Sequence, residues 1–312
     1  SPKSAPNLPT KDPATHNTHI AMLFRQRQGH FVQKPLPQRW VVQGSQEARV
    51  WGKSVDDEAR TKARCGEIFD LRTWLSNRGC VSQKPIKEIE SLMLQSKNVT
   101  RLPSGTKYLR YLEEVCLGSN LLTRVPEELK YWGKLRKLDL HSNHISSLSS
   151  DIEYLRSLQL LILDGNRLES IPSCIQHLVQ LRKLYLSNNC LVEVPSEIQH
   201  LVKLEELHLN GNKLAVVPSE IRHLHSLRKL LLHENHVVSI PEEICQLESL
   251  EVLTLQRNQL CSIPASIGML KNLRELFIHE NKMHDVPLEI KQMPNLKELR
   301  TDDIHTVPSR RW

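Results

Sequence analysis

No stretch of the chain approaches the roughly 18–20 apolar residues that a membrane-spanning helix requires, so a helical span is not expected. The apolar residues 20–24 are closed by Arg25 and Arg27 and read as neither span nor secretory signal. The chain begins at Ser1, a start that methionine removal or transit-peptide cleavage would both give. Also missing are C-x-x-C pairs and clustered cysteines. The seven cysteines, at 65, 80, 116, 174, 190, 245 and 261, are odd in number and dispersed. They suit reduced thiols in a cytosol-like compartment, not a disulfide framework. That compartment also argues against use of the acceptor triplet Asn98-Val99-Thr100, which arises easily by chance.

Catalytic motifs are absent as well: G-x-G-x-x-G, a phosphate-binding loop, G-x-S-x-G and H-E-x-x-H. No nucleophile–base–orienter set can be assembled from spacing, and no stretch is long enough for a separate catalytic domain. Fifteen histidines invite a metal, and His177, His200 and His223 recur at one interval. A straight ladder makes no tetrahedral site, and no cysteine or carboxylate joins it in register. The expectation is a non-enzyme without cofactor, metal or small-molecule substrate.

What is present is a period. Asparagine falls at 120, 143, 166, 189, 212, 235, 258 and 281, always 23 residues apart. Each closes the same frame, as in Leu181-x-x-Leu184-x-Leu186-x-x-Asn189, and a proline follows most of them, from Pro126 to Pro287. Units of this size cannot bury their apolar side chains alone and must stack. In Leu204-x-x-Leu207-x-Leu209, Leu207 and Leu209 point inward while Glu206, His208 and Asn210 point outward, which is a short strand. Successive strands pair in parallel. The crossover starts at a proline such as Pro218, and Ile221, Leu224 and Leu227, spaced by three, suit a helical or 3-10 turn. The asparagine sits where the chain leaves the strand inside the core, and its amide satisfies backbone groups there.

These residues resemble the short leucine-rich-repeat family. Pro195-Ser196-Glu197-Ile198 with Leu201 and Leu204 is similar to the 23-residue subclass of intracellular Ras-suppressor-like and Scribble-like proteins. The resemblance covers about residues 86 to 308. It implies an α/β solenoid with parallel strands on a concave face, short helical or 3-10 segments on the convex face, and adaptor or scaffold activity through the concave face. The array departs from the frame at its ends: Lys97 takes the first asparagine position, and Asp302 and Asp303 stand in the last. Capping turns with polar outer faces are expected there. Inside the array, Ser149 replaces a proline.

Three regions follow: a basic, proline-rich extension over 1–45, a helical cap region over 46–85, and nine to ten turns over 86–312. The first 85 residues hold 14 Lys and Arg against 7 Asp and Glu, which accounts for the whole net charge of +7. A neutral solenoid argues against long-range steering of nucleic acid, so the extension is the candidate for an acidic surface such as tubulin or RNA. Its expected anchors are Phe24, Arg25, Arg27, Phe31 and Trp40. Ser54 is placed to cap a helix that runs to Asn77-Arg78-Gly79, with a break at Gly66. That helix either covers the first repeat or offers Phe69 and Trp74 to a partner.

On the strand face, Leu160, Ile162, Tyr185 and Leu231 place apolar groups where solubility favours polar ones. With Asp139, His141, His208, His233 and Phe277 they form the expected protein-binding surface. His208 and His233 lie on adjacent turns, able to share a proton or a partner carboxylate. The expected setting is a cytoplasmic assembly, cytoskeletal or axonemal. The alternatives are a ribonucleoprotein such as a mitochondrial ribosome, and a regulatory subunit for a small GTPase or phosphatase.

Overall fold

The computed structural model describes residues 55–79 and 85–302. The Phe24, Arg25, Arg27, Phe31 and Trp40 anchors and the capping Ser54 lie outside the described residues. Ten strands of three residues form one parallel sheet in chain order. They are β1 (Ser91–Met93), β2 (Glu114–Cys116), β3 (Lys137–Asp139), β4 (Leu160–Ile162), β5 (Lys183–Tyr185), β6 (Glu206–His208), β7 (Lys229–Leu231), β8 (Val252–Thr254), β9 (Glu275–Phe277) and β10 (Glu298–Arg300). The register follows the period: Leu184 pairs with Leu207, and Tyr185 with His208. Each crossover is a 3-10 turn, such as Ser196–His200, entered from Pro195 at φ −70° and ψ 151°. Proline's fixed φ suits this entry, and the N–H it lacks would have had no partner there. Ser149, without that ring, uses its side chain to accept the N–H of Asp151 at 3.2 Å.

Between sheet and 3-10 turns lies a continuous core in which Leu184, Leu186, Ile198, Leu201 and Leu204 are buried. The asparagines run through it. Asn189 Nδ2 donates to the carbonyls of Leu163 and Leu186 at 3.0 Å and Ser187 at 3.2 Å, and its Oδ1 accepts from Leu168 N at 3.0 Å. One side chain thus ties its own turn to the preceding one. The residue before each ladder asparagine holds a left-handed backbone, for example Ser119 at φ 55°, Gly211 at 67° and Arg257 at 56°. L-residues resist that region, and only a turn fixed on both sides holds them there. Arg257 is braced by Glu234 at 2.8 Å and Glu280 at 2.9 Å.

The ends are closed by substitution within the same scheme. Lys97 needs no amide, because Asn120 Oδ1 accepts both Lys97 N (3.0 Å) and Val99 N (2.9 Å). At the other end Asp302 takes the N–H groups of Glu280 (2.7 Å) and Asn281 (3.3 Å). Helix α1 (Val55–Ser76) is continuous, so the expected break at Gly66 does not occur. An isolated glycine weakens a helix without ending it, and packing of Leu71 and Leu75 carries α1 past it. The turn that follows the helix closes at Gly79, in the left-handed region at φ 73°. It packs on the outer turn Ser104–Tyr108, where Glu67 accepts Tyr108 Oη at 2.8 Å and pairs with Lys107. Gly105 permits the approach, since a Cβ there would stand 2.6 Å from the Glu67 carbonyl oxygen. Of the two aromatics expected to face a partner, Trp74 packs on the core beneath Arg78, while Phe69 is 70% exposed.

Candidate functional site

Each strand sends its middle residue into the core and its flanking residues to the open strand face, so Ile162, Tyr185, His208 and Leu231 form one row across β4 to β7, with Leu160 beside it in the column of Lys183 and Glu206. All five are half-buried by their neighbours in adjacent turns. The row is not uniformly open: Met93 is exposed, whereas Cys116 and Thr254 are buried. At its centre the Tyr185 and His208 rings stack, with centroids 4.1 Å apart and planes at 14°. Tyr185 Oη donates to Glu206 at 2.7 Å, and Lys183 pairs with the same carboxylate at 2.9 Å. Burial pushes Glu206 up, but these two hydrogen bonds outweigh it and hold the group below the usual carboxylate range. Burial pushes His208 down to about 4, against the pull of Glu206 3.6 Å away. On the next turn His233 Nδ1 meets Thr254 Oγ1 at 2.9 Å, and burial pushes the His233 pKa down too. Phe277 lies two strands beyond Leu231, beneath the Arg300 guanidinium at 4.8 Å.

The N-terminal side of the row is acidic. Asp139 Oδ1 accepts from His141 Nδ1 at 2.6 Å, which raises the imidazole pKa. His141 lies over Gly118, where a Cβ would come within 2.0 Å of the ring. Asp164, next to His141 in the column that follows the strands, is pushed up to about 6 by burial, although Ser187 N donates to it at 2.6 Å. Sequence reading missed Asp164, Ser187 and Asn210. The signal was available, since they share the 23-residue register of His141 and His233.

One arrangement corrects the expectation that no nucleophile–base–orienter set exists. Ser119 Oγ lies 3.3 Å from His141 Nε2, and His141 in turn holds Asp139. Spacing cannot show this, because the contact crosses from one turn to the next. The set lacks what hydrolysis requires. Ser119 is exposed on an open face, and its own N–H is spent on the His141 carbonyl at 2.8 Å, so it cannot serve an oxyanion. Cys116 offers no alternative nucleophile, since burial pushes its thiol up to about 12. Among the described residues no group of three His, Cys, Asp or Glu is arranged to hold a metal, and no helix is long and apolar enough to cross a membrane.

A parallel sheet of three-residue strands, a 3-10 turn in every crossover and one buried asparagine per 23 residues define a leucine-rich-repeat solenoid, a fold of protein-interaction scaffolds. Residues 127–232 and 218–310 match the family described as Leucine-rich repeat region; together they span more than half the chain, which belongs to this family. Among solved structures it is similar to the Leptospira interrogans LRR protein LIC12759, at 30% identity over 69% of this chain and 67% of that one, with a TM-score of 0.55. It is also similar to the LRR ectodomain of the Arabidopsis thaliana membrane receptor kinase GASSHO1/SCHENGEN3, solved in complex with CASPARIAN STRIP INTEGRITY FACTOR 2. That likeness is 30% identity over 70% of this chain and 28% of the ectodomain, with a TM-score of 0.64. The plant peptide hormone receptor RGFR1, in complex with RGF2, is 28% identical over 71% of this chain and 39% of the receptor, with a TM-score of 0.63. No curated protein matches the chain.

Proposed function

We propose that the chain is a non-catalytic scaffold of the short, 23-residue class resembling Ras-suppressor-like and Scribble-like proteins. It binds a protein partner across β4 to β7 and is held in a larger cytoplasmic assembly, cytoskeletal or axonemal, by its 1–45 extension. The observation that carries this reading is the apolar group Leu160, Ile162, Tyr185 and Leu231, which keeps apolar surface open on three strands, β4, β5 and β7, while Glu206 and His208 fix the Tyr185 ring. Pre-positioned aromatic and aliphatic anchors inside a polar rim are what a protein interface uses. Two of the similar receptors were solved with their partners, which supports a binding role for this fold.

The test is cross-linking mass spectrometry of the native assembly with wild-type chain and with the Ile162→Glu/Leu231→Glu variant. Both side chains point away from the core, so the circular-dichroism spectrum stays unchanged while strand-face cross-links to the main partner disappear. Cross-links retained at wild-type level in the folded variant would sink the reading.

A further inference from the structure

The 3-10 side of the repeats carries a second surface of different chemistry. The residue that closes each 3-10 turn reads Tyr108, Tyr131, Tyr154, His177, His200 and His223 over six consecutive turns. Tyr108 is occupied by Glu67 of α1, but Tyr131 and Tyr154 are 38% and 50% exposed. The residues that lead from these turns toward the strands add Tyr111, Val179 and Val202, all exposed.

Cations are interleaved with these groups. Lys134 Nζ lies 4.2 Å from the Tyr111 ring centroid and Lys130 Nζ 5.6 Å from that of Tyr131, while Arg110 and Arg156 stand exposed beside them. Among the described residues these four cations form no ion pair. Nearer the strands the arrangement differs, because Arg136, Arg182 and Arg228 each find a glutamate on a neighbouring turn. Among the described residues Glu153 is the carboxylate at these turn-end positions, and it faces His177 at 3.9 Å, so the neutrality of the repeats as a whole conceals a locally unbalanced patch of four cations. A lysine laid on a ring keeps its free side available for a carboxylate, and the ring stays available for an apolar contact.

We propose that this outer stripe, from Arg110 to Val202, docks a segment of a partner protein in which acidic residues alternate with large apolar ones. Charge complementarity selects the acidic residues, and the exposed tyrosines and valines select the apolar ones. A single nucleic-acid strand also suits cations and rings, but Val179 and Val202 offer bases no stacking surface. The stripe stands apart from the strand face, and its assignment does not depend on the partner proposed there.

The test uses the full chain, immobilised and panned with a phage-displayed random dodecapeptide library. Enriched clones should combine Asp or Glu with Leu, Phe or Trp. A fluorescein-labelled copy of the leading peptide should bind Lys134→Glu/Arg156→Glu at least about ten-fold more weakly, and Tyr154→Ser more weakly as well. The same peptide should bind Ile162→Glu/Leu231→Glu as it binds the wild type. All three substituted stripe residues are exposed, and a thermal melt confirms folding. Enrichment of neutral or basic peptides overturns the proposal, as do acidic peptides that bind the charge-reversed variant equally well. Peptides sensitive to the Ile162/Leu231 variant alone also overturn it while leaving the strand-face reading intact. Binding of oligo(U) RNA in place of peptides, lost in the same stripe variants, would reassign the surface to RNA.

Discussion

The Tyr185 ring lies on the His208 ring of the next turn, 4.1 Å between centroids, with its hydroxyl 2.7 Å from Glu206 two residues before that histidine. Two adjacent strands are thus joined by a stack and a hydrogen bond outside the backbone ladder. The stack shields His208 from water, and burial then keeps it neutral. The same contact holds Tyr185 in one orientation, so a partner meets a ring that is already ordered.

Stability rests first on the asparagine ladder. Asn189→Leu removes an acceptor from Leu168 N and a donor from three carbonyls. Groups left buried without partners should cost about 1–3 kcal/mol, more than a surface change does. Urea unfolding measures this, and a midpoint equal to wild type would mean that water replaces the amide without loss.

The ladder was legible in the sequence because a period of 23 says which residues become neighbours once turns stack, whatever their local propensity. Parallel order, register and the positions of Ile198, Leu201 and Leu204 followed from it. Burial within the strand face did not. Cys116 and Thr254 occupy the same column as Met93, yet they are buried and Met93 is exposed, because β1 ends the sheet and has a neighbouring strand on one side only. Contacts such as Ser119 to His141 depend on rotamers and on the side chain missing at Gly118. Charge totals hid the outer stripe, since a sum over the repeats does not record which cations find carboxylates.

Backbone strain gives a second test. Gly211 is left-handed at φ 67°, and a Cβ there would stand 2.4 Å from Asn188 Oδ1, the end of an exposed side chain that can turn away, and 3.3 Å from the Asn188 backbone nitrogen, which cannot. Gly211→Ala should therefore destabilise by about 1–2 kcal/mol or more. Gly165, also left-handed at φ 66°, would place its Cβ no closer than 3.5 Å to the nearest atom, so Gly165→Ala meets the conformational cost alone. Melting temperatures should rank wild type, then Gly165→Ala, then Gly211→Ala; the reverse order of the two variants would show that the Asn188 contact does not matter.

Acid stability should be set by two groups that pull in opposite directions. The folded pKa of His208 is about 4, below the unfolded value near 6.5, so the unfolded chain binds the proton first. His208 thus removes stability as pH falls from about 6.5 to 4, by up to about 3 kcal/mol. Asp164 has a folded pKa of about 6, above its unfolded 3.8, so the unfolded chain loses the proton first. It removes stability as pH rises through that interval, by up to about 3 kcal/mol. Between pH 4 and 6 the two contributions oppose, and single substitutions separate them. Asp164→Asn still offers an oxygen to Ser187 N and leaves His208 in control, so its stability relative to wild type should grow as pH rises through this window. His208→Gln leaves Asp164 in control, so its relative stability should shrink over the same window. Chemical denaturation at pH 4, 5, 6 and 7 gives both slopes. If the two variants track wild type in parallel, neither group is as buried in solution as the strand face requires.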